Sequence, residues 1–164
     1  NPHYYLNPHN IPLLAKAISE KLSECDSRNS SYYKSNCRNF ITMWNQKTSQ
    51  WDSKLAALKG KQVIEYHKNY DYLLRYYSIS LAGTIEPLPG IPPTSKHIES
   101  LEKMISSRNI SFILMDVYNP DEAGRHLSKK YGITFVKLPH DIGAVPEAND
   151  IVSLFDEIVR RLTK

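Results

Sequence analysis

Between Ser31 and Leu58 the chain carries neither glycine nor proline. A stretch that long without a breaker supports one continuous helix, about 40 Å in length at 1.5 Å per residue. Its apolar residues are placed accordingly. Cys37, Trp44, Trp51 and Leu58 recur every seven positions, and Tyr33, Phe40 and Leu55 flank that stripe. Asn36, Lys47 and Lys54 interrupt the positions that a second stripe would need, so a helix lying across a globular body fits better than a coiled coil.

Ahead of this helix, Asn10 can serve as an N-cap and Pro12 suits a first turn. Ile11, Leu14, Ile18 and Leu22 then fall on one face of a helix that should stop near Glu24, with a turn through Asp26 to Ser30. Beyond Gly60 the grammar changes to short strands alternating with helices. Gln62 to Tyr66, Ser80 to Ile85, Ile110 to Val117 and Ile133 to Leu138 are strand-sized. Helical segments separate them: one through Tyr70, Leu73, Leu74 and Tyr77, one capped by Thr94 or Ser95, and one from Pro120 to Tyr131 that Gly132 ends. A final amphipathic helix spans Asp150 to Leu162. The run from Ile110 is nearly all apolar, as befits a strand buried on both faces of a parallel sheet. The expected fold is α/β, a four-stranded and mainly parallel sheet flanked by helices and preceded by the long helix.

Composition removes several classes of function. No apolar run approaches the ~20 residues that span a bilayer. The net charge is +4, but lysines and arginines are interleaved with acidic residues, and no basic cluster exceeds Arg160-Arg161. A solvated surface explains that balance better than a nucleic-acid footprint. The two cysteines, Cys25 and Cys37, leave two readings open: a disulfide worth ~3 kcal/mol in an oxidising compartment, or two separate thiols. No thiolate zinc-finger spacing is present.

In parallel sheets ligands sit beyond the carboxyl ends of the strands. His67 directly follows the first strand, Glu86 the second, and His140 and Asp141 the fourth, while Asp116 lies at the end of the third. Imidazoles and carboxylates together suit Zn²⁺ or a related divalent ion. His3 stands apart, in Asn1-Pro2-His3-Tyr4-Tyr5-Leu6-Asn7-Pro8, just before the first helix.

That segment resembles the Asp-Pro-His-x-Trp-Leu-Asp-Pro motif of the metal-binding receptors of zinc and manganese ABC importers, the group with a rigid helix between two lobes. Val63-Ile64-Glu65-Tyr66-His67 is similar to that family's strand ending in a ligand histidine. Glu86-Pro87-Leu88-Pro89-Gly90-Ile91-Pro92-Pro93-Thr94 resembles its Glu-Pro-Lys-Pro-Gly-Ile-Pro-Pro-Ser segment. Asp116 to Pro120 and Val136 to Pro139 come next, in the family's order, so the resemblance runs through the whole chain.

The resemblance implies three metal ligands: His3, His67, and Asp141 from the loop after the last strand, with His140 as the alternative to Asp141. Asn1 and Asn7 depart from the motif's aspartates and should affect capping more than binding. Residues 1–30 would be the remnant of an amino-terminal lobe, 31–60 the bridging helix and 61–164 the carboxy-terminal α/β lobe. Because the family supplies another histidine from a lobe without counterpart here, the chain is expected to be a truncated or proteolysed product with a weakened site. Trp44 or Trp51 would then be exposed or covered by another chain.

The function implied by the resemblance is metal capture without catalysis, at the periplasmic or extracellular face of the cell membrane. The implied partner is an ABC importer permease, and membrane association would run through an amino-terminal anchor missing from this chain. Imidazole at His67 favours zinc over the harder Mn²⁺. Two other functions use the same residues. A metal-dependent hydrolase could activate water at His67, His140 and Asp141, although no HExxH-type pair or obvious general base is present. A surface adhesin with a structural metal would exploit the 11 tyrosines.

Overall fold

The computed structural model describes residues 1–164. In chain order the elements are α1 (Ile11–Cys25), α2 (Ser30–Leu55), β1 (Gln62–Glu65), α3 (Asp71–Tyr76), β2 (Ser80–Thr84), α4 (Ser95–Ser107), β3 (Ile110–Asp116), α5 (Glu122–Tyr131), β4 (Thr134–Leu138) and α6 (Ile151–Leu162). Single 3₁₀ turns at Tyr4–Leu6, Pro8–Asn10, Ser27–Asn29 and Ala56–Leu58 link or extend the first helices.

Local chemistry accounts for the boundaries. The Thr94 hydroxyl accepts the His97 N–H at the start of α4. Asp150 and Ser153 form a reciprocal capping box on α6. Gly132 ends α5 in the left-handed region at φ 66°, a conformation that costs a residue with a Cβ far more. The N-terminus of α1 differs from expectation. Asn10 makes no side-chain cap there, because its amide instead donates to the Tyr4 carbonyl at 2.8 Å. The preceding 3₁₀ turn is capped by Asn7, whose side chain accepts the His9 N–H.

The four strands form one sheet in the order β2-β1-β3-β4, and all three pairings are parallel. Side chains alternate across it. Val63, Leu114, Val136 and Leu138 face one way, into a core built with α2, α3 and α6. Ile64, Ile113 and Met115 face the other, against Leu101 and Ile105 of α4 and Leu127 of α5. At Gly124 a Cβ would lie 2.8 Å from the Met115 sulfur, so glycine lets α5 sit close on the sheet.

The apolar stripe of α2 is buried only in its carboxy-terminal half, at Trp44, Trp51 and Leu55. Trp44 and Trp51 are 0% and 1% exposed, which corrects the expectation that one of them faces solvent. The cover comes from within the chain. Phe155 of α6 packs 5.5 Å from the Trp44 ring and 5.1 Å from the Trp51 ring, centroid to centroid. Both indole N–H groups are satisfied, Trp44 by the Pro8 carbonyl and Trp51 by the Asp156 carboxylate, each at 2.8 Å. By contrast, the α1 stripe emerges: Ile11 is buried, whereas Ile18 and Leu22 are 60% and 43% exposed. Cys25 and Cys37 are separate free thiols. No helix is long and apolar enough to cross a membrane.

The aromatic triplet gives a direct test of how the long helix is held. Phe155→Ala is expected to lower unfolding stability by about 3–5 kcal/mol through loss of buried area and the cavity left behind. Urea unfolding followed by tryptophan fluorescence measures it, and both indoles should redden together.

Candidate metal site

The strand order reverses at β1, which has β2 on one side and β3 on the other. Connections leaving β1 and β3 therefore diverge, opening a crevice beyond the carboxyl ends. An open cleft of about 540 Å³ lies at this end of the sheet, on its β1–β2 side, lined by the amino-terminal segment and by the stretches after β1 and β2, and both His3 and His67 border it.

His67 is oriented by its neighbour across the loop. Its Nδ1 is hydrogen-bonded to Oε2 of Glu86. The other Glu86 oxygen accepts the Gly90 N–H at 2.6 Å, so the proline-rich loop itself is tied to this carboxylate. With Nδ1–H donating to Glu86, Nε2 keeps the free lone pair. A carboxylate behind an imidazole in this way fixes the ring and raises its basicity toward a metal.

His3 is brought to the same cleft by Asn1. The Asn1 side-chain carbonyl accepts the His3 N–H at 2.9 Å, and its amide donates to the Lys68 carbonyl at 2.6 Å. Of the two asparagines expected to affect capping, Asn7 caps the 3₁₀ turn at Pro8–Asn10, whereas Asn1 caps no element and instead ties His3 to the loop after β1. The His3 ring lies 5.4 Å from that of His140, and its Nδ1 is 3.2 Å from the Tyr5 hydroxyl. Partial burial, with the neighbouring His140, holds the His3 imidazole below its ordinary pKa against the pull of Asp141, favouring the neutral ring that a metal requires.

The loop after β4 supplies the remaining two candidates. Asp141 Oδ1 accepts the Tyr5 hydroxyl at 2.8 Å, and Oδ2 is 3.3 Å from His140 Nε2. Burial and the bond to Asp141 push the Tyr5 phenol well above its ordinary pKa. His140 Nδ1 is buried without a hydrogen-bond partner, and Tyr118 packs edge-on against its ring.

Asp116 does not join them. Its Oδ1 accepts the N–H groups of Tyr118 and Asn119 at 2.8 and 3.0 Å, and Oδ2 takes the Asn119 amide. It organises the loop after β3. In this conformation no three His, Cys, Asp or Glu side chains stand close enough to hold an ion together. His3 and His67 border the open cleft, and His140 with Asp141 stands beside His3 at its edge.

A profile of the zinc-uptake complex component A family, periplasmic proteins, matches residues 1–164. The chain belongs to that family. The zinc-binding protein AdcA of Streptococcus pyogenes is 20% identical over 133 residues, covering 81% of this chain and 26% of that protein. The high-affinity zinc uptake system protein ZnuA of Brucella abortus is 27% identical over 105 residues, 64% of this chain and 31% of the relative. A cadmium-bound periplasmic metal binding protein from Candidatus Liberibacter asiaticus superposes with a TM-score of 0.84 at 15% identity, over 99% of this chain and 62% of that one. The chain thus spans under a third of these two relatives and under two thirds of the solved fold.

Nothing in the sequence marks Tyr5 or Tyr118 as neighbours of the site. A tyrosine beside a histidine reads as packing, and only the fold brings Tyr5 to a loop 136 residues away. Glu65 reads in the sequence simply as part of a strand. It is fully buried at the end of β1, neither oxygen makes a hydrogen bond, and burial followed by the nearby Asp71 pushes its carboxyl up to about 8.

That shift has a signed consequence. Below the ordinary carboxyl value of 4.5 the acid is neutral in both folded and unfolded chains; from there to about 8 only the unfolded chain ionises. Stability therefore falls as pH rises through that window and levels off above it, by an amount on the order of a few kcal/mol. Glu65→Gln is expected to flatten this loss. Urea unfolding midpoints at about pH 5 and pH 9 measure it.

Proposed function

We propose that this chain captures a divalent transition-metal ion, zinc foremost, outside the cytoplasm and presents it to the permease of an ABC importer. The supporting observation is that His3 and His67 border one open cleft beyond a parallel sheet, while the His3 ring lies 5.4 Å from His140, whose Nε2 is 3.3 Å from Asp141. A receptor needs nothing more than ligands, orientation and shelter. The zinc-uptake family membership and the zinc-binding relatives point the same way.

In this proposal His3 and His67 bind through Nε2, and Asp141 contributes a carboxylate oxygen, with His140 as the alternative donor. Two imidazoles and a carboxylate form a borderline-soft set that favours zinc over manganese. The protein acts as a receptor, not as an enzyme. Residues 1–30 carry the first ligand, α2 and its 3₁₀ extension form the rigid bridge, and the sheet with its helices carries the remaining ligands. Location at the periplasmic or outer face of the membrane, and tethering there through an amino-terminal anchor, belong to the same proposal.

Calorimetric titration with Zn²⁺ and Mn²⁺ tests it. Zinc should bind more tightly than manganese, and His3→Ala and His67→Ala should each weaken zinc by about 100-fold or more. Asp141→Ala and His140→Ala, compared side by side, identify the third ligand as the one whose loss costs more. Unchanged zinc affinity in both His3→Ala and His67→Ala would rule the site out.

A further inference from the structure

One hydroxyl touches two of the proposed ligands. Tyr5 Oη lies 3.2 Å from His3 Nδ1, 2.8 Å from Asp141 Oδ1 and 3.0 Å from the His140 carbonyl. A phenol has one proton to donate and lone pairs to accept with. The carboxylate is the stronger acceptor of the two oxygens available, so the O–H goes to Asp141 and the oxygen accepts from His3 Nδ1–H. A directed chain results, from imidazole through phenol to carboxylate.

We propose that Tyr5 is a positioning residue of the metal site, holding His3 and Asp141 in mutual register through its hydroxyl. This rests on the capture function proposed above. The bond chain leaves Nε2 of His3 unprotonated, which is the atom a metal needs. It also occupies Oδ1 of Asp141, so that Oδ2 is the oxygen left to exchange His140 for an ion. The hydroxyl can act as a fixed point because the Tyr5 ring is half-buried and packs against the cluster containing Leu6 and Trp44.

The bridge depends on a phenol. Where the resembled motif carries tryptophan at this place, the indole N–H can only donate and could not accept from His3. The pairing of these two ligands is thus a property of this chain's own residue. Partners behind metal-binding side chains are typically worth 10–100-fold in affinity, and Tyr5 stands behind two.

Tyr5→Phe keeps the ring and removes the hydroxyl. Its zinc dissociation constant should rise by about 10–100-fold with a melting temperature close to that of wild type. Cobalt(II) loaded in place of zinc supplies a readout that packing alone would not move: its visible absorption should shift as His3 and Asp141 lose register. In the metal-free wild type, nitrogen-detected NMR at about pH 8, above imidazole titration, should show His3 with its proton on Nδ1. That measurement needs no variant and holds even if Tyr5→Phe folds poorly.

Wild-type affinity together with an unchanged cobalt spectrum in Tyr5→Phe overturns the proposal, as does a His3 proton found on Nε2. A wild-type chain that takes up no zinc overturns the proposed function and this inference with it. A wild type that binds while Tyr5→Phe matches it overturns this inference alone.

Discussion

The packing of Phe155 against both Trp44 and Trp51 is the contact on which the arrangement of the site depends. It joins α2 to α6, elements far apart in sequence, and closes the core on one face of the sheet. The same Trp44 ring donates its N–H to the Pro8 carbonyl, and so fixes the amino-terminal segment that carries His3. Large aromatic burial with each indole N–H satisfied is a stable combination, since a buried donor left alone would cost about 1–3 kcal/mol. The position of His3 relative to His67 is therefore set by a core contact at Pro8 together with the Asn1 link to the Lys68 carbonyl.

The site itself shows two kinds of preparation. His67 is rigidly prepared: Glu86 holds its Nδ1 and is itself held by the Gly90 N–H. The loop after β4 is prepared less completely. Asp141 has both oxygens engaged, by Tyr5 and His140, and His140 has a buried nitrogen with no partner. An unsatisfied buried polar atom raises the energy of that loop arrangement, and an incoming cation that redistributes Asp141 and His140 would meet a state with something to gain. Glu65, buried without a hydrogen bond close by, adds a second local cost at the end of β1.

The strands and the long helix were legible in the residues because their signals are local. β-branched and apolar runs between glycines and prolines gave each strand within about two residues, and the seven-residue recurrence of Trp44, Trp51 and Leu58 marked the buried side of α2. The placement of His67, Glu86, His140 and Asp141 after strands was equally local. Features that could not be read depended on partners remote in sequence or on competing local bonds. Trp44 and Trp51 looked unpartnered because Phe155 lies more than a hundred residues on. Asp116 has the look of a donor, yet its oxygens are taken by the Tyr118 and Asn119 N–H groups. Asn10 has the look of a cap, yet its amide turns back to Tyr4. The apolar stripe of α1 was correctly periodic, but periodicity reports only which side of a helix is oily and not whether anything lies against it.

The half-buried character of α2 has a mechanical meaning. Its carboxy-terminal half is gripped by aromatic packing, while its amino-terminal half, where Tyr32 is exposed, is covered on one side by α1. From Trp44 to Ser30 the helix extends about 21 Å at 1.5 Å per residue. A tilt of one degree at the gripped end moves the other end by about 0.4 Å over that length. Because α1 packs along this half of α2 and the two are joined by the short turn at Ser27–Asn29, any such tilt carries both helices together and displaces their shared turn most.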